Sequence, residues 1–188
     1  IAEYPEIQFS LKMRLGWENA SECMVLVELL NALRLSRIAL HARTGKQQYK
    51  GHPDLEAFQG FYELCQHLGV YNGGIESLSD IRQILIRFPL LKGVFIGRGL
   101  LSSPLLAKEF KGNETFLPEQ RMSIYFAFHE ELFSAYSQVL QGETQLLVKM
   151  KTLWEYFLPE TDRKLLKRIK KSTRLQQYTE SVKAIFTS

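Results

Sequence analysis

The sequence has little of what several protein classes require. Two cysteines among 188 residues are too few for a disulfide framework, so reduced thiols are expected. The apolar runs are short, as at residues 94–96, and none approaches the roughly 18 consecutive apolar residues of a membrane helix. Yet 45% of the residues are apolar, which is enough for a buried core and excludes a wholly disordered chain. We expect a soluble, cytoplasmic protein without a membrane segment.

Charge and hydrophobic pattern both change along the chain. Residues 1–117 carry 13 basic and 12 acidic side chains, whereas residues 118–188 carry 11 basic and 8 acidic ones. The change in pattern predicts two domains, residues 1–112 and 117–188, joined by a linker at Gly112-Asn113-Glu114. The chain begins with Ile1 and no signal-peptide pattern follows, so we expect it to be the later part of a longer protein.

The first domain alternates short apolar runs with longer stretches of helical spacing. Such alternation predicts an α/β fold with parallel strands, because each strand must be entered from the same end. A glycine at position 69 suits the end of the second helix. The predicted strands are 7–15, 37–41, 69–71 and 93–96, and the predicted helices are 21–33, 55–68, 77–88 and 104–110.

The sequence of the second domain lacks strand-like alternation, and this pattern predicts an all-α helical bundle. Pro118 suits the first turn of a long helix. The predicted helices are 119–140, 144–157, a basic helix that follows Asp162, and 175–186.

Basic side chains stand where the first two predicted strands end. Lys12 and Arg14 are two residues apart, as are His41 and Arg43, so each pair shares one face of its strand. At the carboxyl ends of parallel strands, such residues face a ligand, and buried cations require an anionic or electron-rich partner. The alternative is that these are surface cations and a structural histidine.

Glycines stand where the last two predicted strands end. Gly73 and Gly74 follow Asn72, and Gly97 precedes Arg98. Glycines at a strand-to-helix turn let backbone N–H groups approach a phosphate, and the helix N-terminus adds its positive dipole end. The two glycine turns together predict a phosphate site, although paired glycines also serve simply to make a turn.

Residues 163–174 contain seven basic side chains and no acidic one. This density predicts a surface for a polyanion, of which RNA is the natural candidate. Trp154 and Tyr156, close by in sequence, add rings for base stacking. The alternative is a solvated charged face.

The cysteines and the remaining histidines do not indicate a catalytic or metal site. Cys23 and Cys65 fall on apolar helical faces, which indicates core packing. The histidines lack metal-ligand spacing, so no metal site is expected.

These motifs, in this order, resemble those of the tRNA-dihydrouridine synthase family. The resemblance covers nearly the whole chain, and the tail is similar to the family's RNA-binding bundle. The segments that carry it are residues 11–17 (LKMRLGW), 41–44 (HART), 49–51 (YKG), 72–75 (NGGI), 93–99 (GVFIGRG), 128–129 (FH) and 149–154 (KMKTLW).

The resemblance implies FMN at the mouth of a (β/α)8 TIM barrel, reduction of the C5–C6 bond of a uridine in tRNA, and NADPH as reductant. The implied FMN contacts are Lys12 and His41 at the ring system, with Asn72, Gly73, Gly74, Gly97 and Arg98 around the phosphate. The implied tRNA contacts are Arg14, Arg43 and Tyr49 near the uridine, and Lys149, Lys151, Lys167, Lys170 and Lys171 in the bundle.

Two departures from the family pattern shape this expectation. The family's catalytic cysteine lies in an Asn-x-Gly-Cys-Pro-type motif upstream of the first strand, and the sequence contains no such motif. No catalytic residue is therefore assigned, and Cys23 and Cys65 do not replace it. In addition, Lys149-Met150-Lys151 departs from the usual basic-His pairing.

Length agrees with a partial barrel, because a complete one takes about 250 residues. We expect the last four strand–helix units followed by the bundle, in a fragment that is inactive alone. The parent protein is expected to be monomeric, and the fragment to self-associate through open barrel edges. The alternatives are a non-catalytic RNA-binding module on a half-barrel scaffold, another FMN- or phosphate-binding barrel oxidoreductase, and a dimer that forms a pseudo-barrel.

Overall fold

The structure is a computed structural model that describes residues 4–187. The chain divides into two compact units, the first ending at Gly97 and the second beginning at Arg98. The predicted boundary was placed later, at residues 112–117. The structure thus puts the two short helices after the last strand in the second unit.

A four-stranded sheet forms the framework of the first unit. The strands are β1 (Phe9–Gly16), β2 (Leu35–Thr44), β3 (Leu68–Asn72) and β4 (Gly93–Phe95). They lie in the order β1-β2-β3-β4, and each neighbouring pair is parallel. The prediction of an α/β fold with a parallel sheet is confirmed.

Helical segments connect consecutive strands of the sheet. A 3-10 helix (Ala20–Leu26) and α1 (Val27–Ala32) follow β1, α2 (Leu55–Leu64) follows β2, and α3 (Leu78–Arg87) follows β3. The ring of Phe58 on α2 lies edge-on to the rings of Tyr71 on β3 and Phe88 after α3, at 4.9 Å from each. These buried contacts join both helices to one face of the sheet.

Two helix predictions in the first unit were wrong in detail. The helix expected over 21–33 begins earlier and is split, because the Glu22 carboxylate accepts backbone N–H groups of Trp17, Glu18 and Asn19 and holds a tight 3-10 turn. The helix expected to stop at Gly69 ends at Leu64 instead. Gly69 lies inside β3 at an irregularity of the ladder.

The second unit is helical throughout the part of the chain that the structure describes. Its helices are α4 (Arg98–Ser102), α5 (Leu106–Gly112), α6 (Pro118–Val139), α7 (Glu143–Leu153), α8 (Arg163–Lys171) and α9 (Leu175–Phe186). The helix predicted over 104–110 corresponds to α5, and a further short helix, α4, begins within the stretch 97–99 that was predicted as a loop. The helix predicted over 144–157 ends at Leu153, where Trp154 caps it.

An aromatic core holds the second unit together. Trp154 contacts the rings of Phe157 and Phe186; Trp154 and Phe157 belong to one buried cluster, and the partly buried Phe186 packs against it. His129 on α6 and Tyr178 on α9 add a polar link, with Nε2 and Oη 2.6 Å apart. Among residues 4–187, no helix combines the length and apolar character needed to cross a membrane.

Candidate functional site

The carboxyl ends of the strands bring three predicted site residues into one row. The register pairs Arg14 with His41, His41 with Asn72, and Asn72 with Phe95. Residues paired across parallel strands point to the same face of a sheet. A guanidinium, an imidazole and an amide therefore stand side by side at this end of the sheet.

Lys12 belongs to the same face, one step further from the strand end. It is two residues before Arg14 and pairs with Ala39, two residues before His41. Its side chain is exposed. Because side chains alternate along a strand, Lys12 presents its ammonium on the face that carries Arg14 and His41.

His41 and Arg43 form a buried pair. They are 6% and 4% exposed, and Arg43 Nη1 lies 3.4 Å from His41 Nε2. Arg43 Nη2 donates to the carbonyl of Gly51 at 3.0 Å, and the ring of Tyr49 lies 6.5 Å from that of His41. Since a guanidinium can only donate, this contact requires His41 Nε2 to accept and leaves the ring proton on Nδ1.

The turn after β3 packs directly on that pair. Gly73 and Gly74 have φ of +141° and +59°, in the range that favours glycine. A Cβ on Gly73 would lie 3.4 Å from His41 Cδ2, and one on Gly74 would lie 2.9 Å from Pro53 Cγ. Asn72 Nδ2 donates to the carbonyl of Phe95 at 3.0 Å, which ties this turn to the end of β4.

A capping box closes the start of α3. Asp80 Oδ2 accepts from Glu76 N and Ser77 N, and Ser77 Oγ accepts from Asp80 N. This carboxylate lies at the positive end of the helix and competes with a phosphate for it. The backbone of Gly73 and Gly74 remains the candidate.

The second glycine turn is open. Gly97 is exposed, and a Cβ placed on it would meet no atom within 4 Å. Arg98 is the next residue, the first of α4, and is half-buried. The backbone at Gly97 can therefore be approached closely by a ligand.

Arg14 is held in place by two backbone carbonyls. Its Nη1 lies 2.7 Å from the oxygen of Thr44 and 3.3 Å from that of Gln48. These contacts join β1 to the last residue of β2 and to the loop that follows it. They fix the guanidinium at the carboxyl end of the sheet.

The two cysteines are buried, in line with core packing. Burial raises the pKa of the Cys23 thiol to about 11 and also raises the pKa of Cys65. Among residues 4–187, no group of three or more His, Cys, Asp and Glu side chains could hold a metal ion.

The basic surface of the second unit lies on α8. Its six cations are exposed, whereas Ile169 is fully buried and Leu165 and Leu166 are half-buried. Asp162 caps the helix by accepting from Lys164 N and Leu165 N. A groove of about 420 Å³ beside α8 is lined by Lys164, Lys167, Arg168, Lys171, Ser172, Gln177, Glu180 and Ser181.

The groove adds residues that the sequence prediction left out. Lys164, Lys167, Arg168 and Lys171 recur at three- and four-residue spacing, so they share one side of α8. That spacing was visible in the sequence. The contribution of Gln177 was not, because α9 meets α8 only through tertiary packing.

The basic and aromatic residues of α7 and its C-terminal end make more contacts within the protein than predicted. Lys151 Nζ donates to the carbonyl of Ser172 at 2.9 Å, and Lys149 Nζ lies 5.2 Å from the ring centre of Tyr136. Trp154 is 2% exposed and donates to Tyr178 Oη. The expectation that Trp154 stacks on a base was therefore wrong, since its ring is part of the core.

Comparison with known proteins supports the resemblance drawn from the motifs. The family model described as "Dihydrouridine synthase (Dus)" matches residues 3–187. A probable tRNA-dihydrouridine synthase of Aquifex aeolicus is 34% identical over 105 residues, which cover 56% of this chain and 33% of the relative.

Two further relatives carry similar names. A probable tRNA-dihydrouridine synthase of Rhizobium leguminosarum is 33% identical over 100 residues, covering 53% of this chain and 31% of its own length. A tRNA-dihydrouridine(16) synthase of Escherichia coli is 27% identical over 110 residues, covering 58% and 35%. The chain spans roughly a third of the length of these relatives. On the extent of the family match, the chain belongs to the dihydrouridine synthase family.

Proposed function

We propose that the chain forms part of a cytoplasmic tRNA-dihydrouridine synthase, an oxidoreductase that uses FMN and NADPH to reduce the C5–C6 bond of a uridine in tRNA. The observation that carries the proposal is the row of Arg14, His41 and Asn72, with exposed Lys12 on the same face and glycine turns beyond it. The family match supports it.

The residues at this end of the sheet fit FMN chemically. The Lys12 ammonium suits an electron-rich ring system, because a nearby cation favours negative charge. His41, paired with Arg43 and in register with Arg14 and Asn72, places an imidazole in the same row. The turn at Gly73 and Gly74 lets a phosphate approach the backbone. Gly97, with Arg98 next to it, offers a second such turn. Bound FMN supplies the reducing equivalents, which NADPH restores.

The same end of the sheet carries groups for the uridine and its backbone. Arg14 is oriented by the carbonyls of Thr44 and Gln48, and Arg43 by that of Gly51. Tyr49 is 62% exposed beside the buried His41. We assign Arg14, Arg43 and Tyr49 to positioning the substrate, since their donors and ring suit phosphate, base edge and base face.

We further propose that the four strands are the closing strands of a (β/α)8 barrel and that residues 117–188 are a tRNA-binding domain. Exposed cations on α8 suit RNA phosphates, because they attract a polyanion without base preference. The proposed tRNA contacts in this domain are Lys149, Lys151, Lys167, Lys170 and Lys171, of which Lys151 also donates to the carbonyl of Ser172.

None of the described residues is assigned as the acid that protonates the uracil ring. Cys23 and Cys65 are buried within the first unit, where burial raises the pKa of both thiols. The proton donor is therefore expected from a segment beyond the residues described. The 188-residue chain alone is expected to bind FMN and tRNA but not to catalyse the reduction of uridine.

Three measurements on the chain test the proposal: FMN titration, binding of an unmodified tRNA transcript, and dihydrouridine formation with FMN and NADPH. Where the chain is part of a longer polypeptide, the same assays are run on that polypeptide. Flavin binding and dihydrouridine formation by the longer polypeptide support the proposal. Salt-sensitive tRNA binding with no flavin binding in either form would replace it with a non-catalytic RNA-binding module.

A further inference from the structure

One aromatic side chain at the carboxyl end of the sheet has no role in the function proposed above. Trp17 follows directly after β1 and is 65% exposed. The other tryptophan of the sequence, Trp154, lies in the second unit and is 2% exposed. A tryptophan that exposes most of its surface keeps its large, flat ring available to a ligand.

The exposed indole is nevertheless held firmly. A Cβ on Gly45 would lie 2.4 Å from Trp17 Cε3 and 2.9 Å from Cζ3, so the ring rests against the Gly45 backbone at a distance only glycine permits. Gly45 therefore lies against the six-membered part of the indole, while 65% of the side chain's surface stays exposed.

The backbone of Trp17 is anchored on both sides. Its N–H donates to Glu22 Oε2 at 2.7 Å, and its carbonyl accepts from Lys46 N at 2.9 Å. The preceding carbonyl, of Gly16, accepts from Gly45 N at 2.7 Å. Backbone N–H groups donate to the Glu22 carboxylate and lower its pKa, so the carboxylate that holds the Trp17 backbone stays charged at neutral pH. A fixed ring loses little conformational entropy when a ligand stacks on it.

The surroundings of Trp17 favour a nucleic-acid ligand. Arg14 lies on β1, three residues before Trp17, within about 10 Å along the chain. Lys46, Tyr49 and Lys50 are exposed on the loop after β2 that Trp17 contacts, and Lys46 forms an ion pair with Glu18. Cations beside flat exposed rings are the combination that binds single-stranded RNA through phosphates and base faces.

From this placement we infer that Trp17 is a stacking platform for a nucleobase of the substrate RNA, close to the uridine that is reduced. The inference rests on the proposed tRNA substrate and deepens it. Stacking is tolerant of base identity, because every base presents a π-face. Trp17 thus positions the RNA at the sheet, whereas α8 attracts it through charge.

The test measures the affinity of the chain for an unmodified tRNA transcript at three salt concentrations, with acrylamide quenching of tryptophan fluorescence in parallel. Trp17→Ala is expected to weaken binding by about 10-fold at every salt concentration, since stacking on one aromatic ring contributes on that order. The salt dependence should not change, because no phosphate contact is lost. In the wild-type complex, the emission of Trp17 should be protected from acrylamide.

Two further variants separate stacking from other effects. Trp17→Phe keeps a flat ring and should retain most of the affinity. Gly45→Ala keeps the indole but places a methyl group where the ring rests, so it should weaken binding as Trp17→Ala does. Circular dichroism checks that each variant is folded. Because Trp17 is mostly exposed, we expect its replacement to leave the fold intact.

The outcomes distinguish this inference from the proposed function. Wild-type affinity in Trp17→Ala, or a Trp17 that stays open to acrylamide in the complex, overturns the stacking platform and leaves tRNA binding in place. A wild-type chain that does not bind tRNA overturns both.

Discussion

The two units present their basic groups in opposite ways. In the sheet unit, His41 and Arg43 are buried and Arg14 is fixed on backbone carbonyls, so geometry decides what they can bind. In the helical unit, the cations of α8 are exposed on long side chains around one buried residue, Ile169. The first arrangement suits recognition of one ligand. The second suits attraction of a polyanion, and the difference predicts how each unit responds to mutation and salt.

The largest effect is expected from the helical unit. Changing Lys167, Lys170 and Lys171 together to Gln should lower tRNA affinity by about 100-fold near 0.1 M salt, because three phosphate contacts are lost. The slope of log affinity against log salt should fall by about 2. Filter binding or fluorescence anisotropy across a salt series measures both quantities.

The matched control removes three exposed cations from the sheet unit, with Arg34, Arg82 and Lys92 changed to Gln. This variant has the same net charge and should keep most of the affinity. Equal losses in both triple variants would show that overall charge, and not the surface of α8, determines binding.

The next effect belongs to the sheet unit. Lys12→Gln should weaken FMN binding by about 10-fold, since one favourable charge interaction with the flavin is lost at a partly screened site. It should leave the salt dependence of tRNA binding unchanged. Lys92→Gln, at the amino end of β4, is the control. Flavin fluorescence titration gives both dissociation constants, and equal values for the two variants would refute the role of Lys12.

A third prediction concerns the buried polar link of the helical unit. Trp154 Nε1 donates to Tyr178 Oη, and the Glu130 carboxylate accepts from His129 Nδ1, so Nε2 of neutral His129 accepts a hydrogen bond from the Tyr178 hydroxyl. Burial lowers the pKa of His129, although Glu130 opposes the shift. Below the ordinary histidine pKa of 6.5, the unfolded chain therefore binds more protons than the folded one.

The free energy of unfolding of this unit should consequently fall as pH decreases below 6.5, by at most about 1.4 kcal/mol per pH unit. Denaturant melts in a Trp17→Phe background follow Trp154, the tryptophan that remains. His129→Gln should flatten the dependence between pH 6.5 and 5.5. An unchanged slope in that variant would mean that another group titrates.

The smallest effect is expected from the cysteines. Cys65→Ala should change FMN affinity by less than about 2-fold, because the side chain is buried away from solvent. In the folded chain, Cys23 and Cys65 should both react slowly with iodoacetamide, since burial raises the pKa of both thiols. Rapid alkylation under native conditions would contradict the burial of these residues.

The sequence allowed much of the fold to be predicted. Alternation of apolar runs with helical spacing was enough to place four parallel strands and the long helix that begins at Pro118. Helix ends were less predictable, because tertiary contacts decide them. Gly69 looked like a helix stop but lies in β3, and Glu22 tightens the turn that splits the first helix.

The candidate site shows the same division. Polar residues at strand ends could be picked out from the sequence, and the register places Arg14, His41 and Asn72 in one row. The sequence did not reveal that Asp80 occupies the start of α3, nor that Trp154 is buried. Both depend on which side chain reaches which neighbour after folding, and local spacing carries no information on that.

We propose that the carboxyl end of the sheet binds the phosphate of FMN through the turn at Gly74. The most direct measurement is an FMN titration of Gly74→Ala beside Gly142→Ala, whose glycine also has positive φ but lies in the helical unit with open space around its Cβ. We expect weakened flavin binding in Gly74→Ala and wild-type binding in Gly142→Ala. Wild-type binding in both variants, with both folded, would contradict it.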